Sequence, residues 1–462
     1  MALGGLVPAP AFALSLALLV NLWARSGGKP FTRFPDAALG LTLLAVYLST
    51  FRWHGGDDMP NSLLPFCLLR HGTLTLEPVL DPWFANKAGD FTVVHRGLHL
   101  SVFPLAPGLL ALPVYLVTAA FNASISEPAL HGLSKLSGAL ITALSAVALR
   151  RALKGRCSDE FALALCFLYG LGTWAFSVSS QALWQHGPAA LGVALALWGL
   201  NGRGRRFDAL AGFGFGLAVA ARPDSVFFAA AGAAFVLFFD RERLAAFTLG
   251  AAIPAALLAA YWLGYTGRLL PPEFGVQTRP FRGFQLNAFI GLLASPTRGL
   301  LLFFPPAVYG VLGAWRSRDA LTRLMTAACA ALLLLFCFHD LWFGSSTFGT
   351  RYFAVAALVL CWASAGLEPW LAASPRRARL WAACAAAAIL THAAGDYLLW
   401  PGSDQWDAER ATVWSWPLHP LANVLTSAGA LRSLPLLARL LIFAAALAAA
   451  WRAARVMERA PR

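Results

Sequence analysis

Long apolar blocks such as Ala11–Trp23, Leu300–Leu312 and Leu440–Trp451 constrain this chain more than any other feature. About 20 apolar residues in a helix cross the hydrocarbon core of a bilayer, and a helix satisfies its own backbone hydrogen bonds there. Only 13% of the residues are charged, against roughly 25% in an ordinary soluble chain. The alternation of an outer-membrane barrel strand is absent. The expected fold is all-α: a polytopic transmembrane helix bundle forming a single domain over residues 1–462.

The net charge of +14 would suggest nucleic acid as a partner in a soluble protein. Here the Lys and Arg residues cluster in short loops, where the positive-inside rule accounts for them and no nucleic acid is expected. The clusters are 25–33, 150–156, 203–206, 241–243, 316–323, 376–379 and the tail 452–462. Placing all of them in the cytoplasm yields spans near 6–23, 36–51, 133–149, 160–177, 184–200, 207–221, 224–239, 244–265, 299–315, 321–338, 352–371, 380–399 and 433–451. That makes about 13 spans, with large outer loops at 52–132, 266–298 and 400–432. The Pro-rich segment 102–121 would break the alternation, so it is expected to be a juxtamembrane or re-entrant helix within the first outer loop. Segments 207–221 and 224–239 are short and suit a tilted hairpin. The N-terminal apolar segment has no basic residue before it and Arg25 after it, the reverse of a signal peptide, and reads as a mature span. The seven cysteines lack metal or disulfide spacing. All nine histidines fall on the outer side or at an outer helix end, although the topology was built from Lys and Arg alone. Function is expected on that side.

The candidate residues follow from the outer loops. Asp57 and Asp58 follow two glycines just past a span, where a carboxylate can accept a proton from an incoming hydroxyl; a helix cap at Asp58 is the structural alternative. His95, Arg96 and His99 precede the juxtamembrane helix and could meet a phosphate head group or membrane lipid. Trp184 and His186 lie in a tight turn suited either to stacking on a sugar or to anchoring in the aromatic belt. Arg222 stands beside Asp224, an arrangement that fits simple pairing as well as substrate binding. Arg298 begins one span, and His339, Asp340, Arg351 and Tyr352 crowd the stretch HDLWFGSSTFGTRYF; either arginine could bind a phosphate or snorkel to lipid.

In this order, the acidic pair, the segment FPLAPGLLALP ahead of RRALKGR, the stretch SPTRGLLLFFPP and LWFGSSTFGTRY resemble the polyprenyl-phosphate-dependent membrane glycosyltransferases of C-type (GT-C) fold. The protein O-mannosyltransferases and aminoarabinose transferases belong there, and the resemblance covers most of residues 36–365. It implies transfer of a sugar from a polyprenyl-phosphate carrier to a hydroxyl on a glycan, lipid or protein, at the outer face of a bacterial inner membrane. It also implies a catalytic Asp at Asp57 or Asp58 and a phosphate-binding Arg at Arg298 or Arg351. No cofactor is assigned, and a divalent metal stays open: the family's second acidic position is occupied by His95, Arg96 and His99, with Asp90 further upstream. The rival readings are a lipid-linked saccharide transporter and a non-catalytic polysaccharide-assembly subunit. Transporters place polar groups at midplane on broken helices and carry internal repeats, and neither is visible.

Overall fold

Nearly every apolar block becomes a helix in the computed structural model, which describes residues 8–51, 56–79, 91–120, 126–269, 281–344, 347–397 and 412–422. The segment 433–451, most of the 400–432 loop, His54 and Asp90 lie outside those residues. The helices Glu127–Leu153, Arg241–Thr266 and Arg351–Ala372 are long and apolar enough to cross a membrane by length and composition. Shorter apolar helices include Pro35–Leu48 and Ala320–Phe336. The helix expected within 102–121 forms as Ala106–Ala120.

Two expected spans are interrupted, each for a local reason, and a third changes helix type along its length. The helix Asp159–Leu171 ends at Gly172, where the Thr173 hydroxyl donates to the Tyr169 carbonyl at 2.6 Å. Such local bonding competes with the helix ladder, and the chain continues as a π-turn, Ala175–Ser179. Pro305 and Pro306 supply no backbone donor, so the segment 299–315 divides into Leu300–Phe303 and Ala307–Arg316. Between Ala354–Ala363 and Glu368–Ala372 lies a 3-10 turn, Ser364–Leu367.

One element corrects the all-α expectation. Thr92–His95 and Leu98–Ser101 pair as an antiparallel hairpin, so His95, Arg96 and His99 lie on strands and a turn. The turn residues Arg96 and Gly97 both have positive φ, 52° and 79°. That backbone matches the twist of a two-residue hairpin loop. Its signal, two four-residue runs around Arg-Gly, is too short to stand out beside long helices.

Ion pairs tie the basic loops to one another at one end of the bundle. Arg150 meets Asp36 at 2.6 Å, Arg156 meets Asp319 at 3.0 Å and Arg243 meets Asp208 at 3.0 Å. In the interior, small residues let helices touch backbone to backbone. A Cβ added at Gly212 would lie 1.8 Å from the Phe247 carbonyl oxygen, and one at Gly250 would lie 2.0 Å from that of Ala209. These two glycines form the seam between Arg205–Ala221 and Leu244–Thr266. Gly212→Val should therefore lower the thermal midpoint of the purified protein by many degrees. Gly264→Ala, on the partner helix Leu244–Thr266 but with open space around it, should be neutral or stabilise by roughly 0.5–1 kcal/mol.

Candidate functional site

The helix Asp58–His71 begins with Asp57 in the N-cap position, yet the Asp57 side chain makes no capping bond. Its Oδ2 instead accepts from Arg351 Nη2 at 2.5 Å, joining positions 294 residues apart. The cap role considered for Asp58 is not what the structure shows, since Asp58 is the first helical residue and is fully buried. Below the pair, Asn61 Nδ2 donates to the Leu183 carbonyl at 3.1 Å, and Ser62 Oγ donates to Ser134 Oγ at 2.8 Å. These bonds fix the helix start against the turn at 179–185 and the helix Glu127–Leu153.

Arg351 is positioned from the other side by the loop that precedes it. Arg298 Nη1 donates to the carbonyls of Thr347 and Gly349, the latter at 3.2 Å. The Thr350 hydroxyl returns a bond to the Arg298 carbonyl at 2.8 Å, and Trp174 Nε1 donates to the Phe348 carbonyl at 3.1 Å. Gly349 takes φ +59°, and a Cβ there would meet Phe303 at 2.8 Å, so a side chain is excluded twice over. Arg298, expected as a phosphate ligand, is 3% exposed and directs its guanidinium at this loop.

Around the pair the outer-loop candidates converge. The Arg351 guanidinium lies over the Trp184 ring, 4.8 Å from its centroid. Arg222 makes a two-point contact with Asp224, with Nε to Oδ1 at 2.9 Å, and its Nη1 sits 2.9 Å from His186 Nδ1. The pairing anticipated for Arg222 and Asp224 is thus present and extends to His186. Arg222 also lies 6.0 Å from the Tyr352 ring, which stacks on Phe336 at 3.9 Å. His339 stands 5.9 Å from Tyr352, and its Nδ1 accepts from the Leu341 amide at 3.0 Å. Burial, aided by Arg222 and Arg351, pushes the imidazole down to about 4, so His339 is neutral at pH 7. At the rim Arg282 pairs with Asp340 at 2.8 Å.

The hairpin residues belong to a different group. The His99 amide donates to Glu77, and His99 Nδ1 lies 3.2 Å from the Thr92 hydroxyl. Arg96 reaches Gly267, where its Nη2 is 3.4 Å from the position a Cβ would take, at the C-terminus of the helix Leu244–Thr266. A cation there complements the helix dipole. No described contact brings these three residues to Asp57 or Arg351.

A buried polar track was missed in the sequence. Lys135 Nζ donates to Gln181 Oε1 at 2.7 Å, and the Thr50 hydroxyl donates to Asp396 at 2.7 Å while lying 3.4 Å from Gln181. Nearby, Ser177 and His392 share a 2.7 Å hydrogen bond. A lysine and an aspartate in otherwise apolar stretches were the available signal; both sit near the outer helix ends and were absorbed into the spans.

Asp58 is electrostatically the odd member. Neither of its buried carboxylate oxygens has a hydrogen-bond partner of normal geometry among the described residues. Burial first, and then the charge of Asp57, push its carboxyl up to about 7; the amides of Asp58 and Gly56 and the charge of Arg351 offset this only in part. Among the described residues no three His, Cys, Asp or Glu side chains converge as metal donors, and Asp57 faces an arginine. By themselves these described donors do not compose a divalent-ion site.

No family model and no curated protein matches the chain. Among solved structures it is similar to the oligosaccharyltransferase of Archaeoglobus fulgidus. The apo crystal structure aligns at TM-score 0.45 and 13% identity, covering 87% of this chain and 57% of that one. A complex of the same enzyme with an inhibitory peptide and a dolichol-phosphate aligns at 0.46 and 13%, covering 86% and 56%. A complex with Zn and sulfate aligns at 0.43 and 14%, covering 84% and 53%. The chain spans a little over half the length of these structures.

The state of Asp58 makes a prediction about stability. A carboxyl raised from 3.8 to about 7 in the folded protein contributes stability that is fully present below pH 3.8. It is lost as pH rises through 7, because the unfolded chain deprotonates first. The difference is on the order of 4 kcal/mol. Asp58→Asn should therefore flatten the pH dependence of the thermal midpoint between pH 5 and 8, and stabilise most at the alkaline end. An unchanged profile would mean that Asp58 is ionised throughout.

Proposed function

We propose that this chain is an integral membrane glycosyltransferase that transfers a sugar from a polyprenyl-phosphate carrier to an acceptor hydroxyl on the non-cytoplasmic face. The observation that carries the reading is the Asp57–Arg351 pair, set over Trp184 and beside Arg222, at the opposite end of the bundle from the basic loops. An arginine that can turn to a phosphate and a carboxylate that can accept a proton are the two groups such a displacement needs. The about 13 spans, with the C-terminus and basic loops in the cytoplasm of a bacterial cell, belong to the same proposal.

Asp57 is the base in this reading, because its side chain is 34% exposed whereas Asp58 is sealed. At rest Arg351 occupies Asp57. The carrier phosphate draws Arg351 away, and the freed Asp57 carboxylate takes the acceptor proton as the oxygen attacks the anomeric carbon. The carrier phosphate leaves as an anion held by Arg351, with Arg222 adjacent. Charge thus passes from one partner of Arg351 to the other, and the base is released only when donor is present. Trp184 offers a face for the sugar ring. Asp58, its carboxyl pushed up to about 7 by burial, carries less than a full negative charge beside the phosphate at neutrality.

Transfer from a polyprenyl-phosphate sugar by purified variants tests the reading. Asp57→Asn should cut the rate by ~10²–10⁴-fold, the usual contribution of a general base, with donor binding retained. Asp58→Asn should cost far less, since Asn resembles the protonated acid. Arg351→Ala should weaken donor binding by about tenfold to a hundredfold, as expected for a lost charged hydrogen bond of ~1.5–3 kcal/mol. Normal rates in both Asp variants and in the double variant would return a transporter to the front.

Sidedness is tested separately by cysteine labelling in intact cells. Cysteines placed in 91–101 should react from outside, and Arg205→Cys and Arg377→Cys should not. Outside labelling of either arginine position would overturn the topology.

A further inference from the structure

Six exposed arginines stand on two segments at the basic end of the bundle: Arg316, Arg318 and Arg323 on one, Arg376, Arg377 and Arg379 on the other. Trp370 joins the segments. The Arg377 guanidinium lies 4.5 Å from its ring centroid, and that of Arg316 lies 5.8 Å from the same centroid. Two like charges gathered on one ring repel each other unless an anion joins them. Carbonyls take N–H groups from three of the six, with Arg377 donating to Trp370, Arg323 to Ser317 and Arg379 to Pro375, but a carbonyl cancels no charge. The two acids of these segments are used elsewhere. Asp319 pairs with Arg156 at 3.0 Å, and Glu368 accepts from the Ser158 amide at 2.8 Å. Among the described residues none of the six arginines forms an ion pair with a carboxylate. Hydrocarbon-facing surface leads to this cluster. Val308, Val311 and Trp315 fall on one stripe of the helix Ala307–Arg316 and are 54%, 52% and 81% exposed. The next residue is Arg316. On the helix Pro375–Tyr397, which meets the first helix through Cys384 and Tyr309, Leu380 is 61% exposed and lies one turn from Arg377. An exposed tryptophan closing an apolar stripe marks the depth of the headgroup region.

We infer that Arg316 and Arg377, brought together by Trp370, bind the phosphate of an anionic phospholipid whose chains lie along the stripe Val308–Trp315. The positive-inside rule accounts for arginines in these loops. It does not account for two of them on one ring at the head of an apolar stripe. A phospholipid supplies both halves at once: a phosphate for guanidiniums without a carboxylate, and hydrocarbon for side chains that the protein leaves uncovered. A choline or ethanolamine group would bring a cation into a field of six arginines, so a headgroup with net negative charge is selected. The site rests on membrane insertion alone and not on the transferase reading. It lies in the leaflet on the side of the basic loops, away from Asp57 and Arg351.

Titration of lipid-stripped protein in a neutral detergent tests it, with the thermal midpoint as readout and phosphatidylglycerol, phosphatidylcholine and inorganic phosphate as probes. Phosphatidylglycerol should raise the midpoint saturably, and the other two should act far more weakly. Arg316→Gln combined with Arg377→Gln removes two charged hydrogen bonds and should weaken phosphatidylglycerol binding by at least about tenfold. Arg203→Gln combined with Arg205→Gln takes the same charge from another exposed basic loop; it should leave the affinity within about threefold, since distant surface charges are screened. Midpoints measured without lipid show that both double variants are folded. Equal losses in the two double variants would reduce the effect to net charge and overturn the site. Wild-type affinity in the Arg316 and Arg377 variant would overturn it too, as would an equal response to phosphatidylcholine or no response to phosphatidylglycerol. Inorganic phosphate acting as strongly as phosphatidylglycerol would make this a site for a soluble anion and overturn the lipid assignment.

Discussion

The contact between Asp57 and Arg351 spans 294 residues of sequence, and this end of the bundle is arranged to make it. On one side, Asn61 and Ser62 fasten the helix that starts at Asp57. On the other, Arg298 and Trp174 hold the loop 347–350 so that Arg351 emerges over Trp184. An ion pair between a buried arginine and a partly exposed aspartate gains little net stability from pairing. In the proposed mechanism the pair is pre-organisation, with the cation and the carboxylate fixed before any ligand arrives.

Charge in the cluster is balanced in pairs. Arg351 answers Asp57 and Arg222 answers Asp224, which leaves Asp58 without a counterion and explains why burial raises its pKa. A phosphate bound as proposed would enter a site whose cations are already engaged, and would compete with a carboxylate for Arg351. In the proposed mechanism that competition links donor binding to liberation of the base. Deeper in the bundle, Lys135 and Asp396 bond to Gln181 and Thr50, so the polar region continues beneath the pair.

Much of this was legible in the sequence, though unevenly. Long apolar runs defined the helices because hydrophobic length is a local property. The break at Thr173 needed backbone bonding to be seen, whereas the one at Pro305–Pro306 was signalled by the two prolines and passed over. The hairpin escaped because its two strands are only four residues each. Sorting loops by charge collected Asp57, Trp184, His186, Arg222, His339, Arg351 and Tyr352 on one side, and the structure brings these together. It could not say which carboxylate faces which arginine, since that depends on helix packing. The roles of Arg298 and Arg351 separate only in three dimensions: one guanidinium meets carbonyls, the other a carboxylate. Lys135 was overlooked for the opposite reason, because one charge in an apolar helix barely alters its hydrophobic pattern.

The central claim is that Arg351 exchanges Asp57 for the phosphate of a lipid carrier. A cryo-electron microscopy structure of the protein in a nanodisc with a non-transferable polyprenyl-phosphate analogue addresses it directly. The account predicts a phosphate oxygen within hydrogen-bond distance of Arg351, and an Asp57 carboxylate turned away from the guanidinium and open to the acceptor side. An Asp57–Arg351 contact still intact, with the phosphate bound elsewhere, would contradict it.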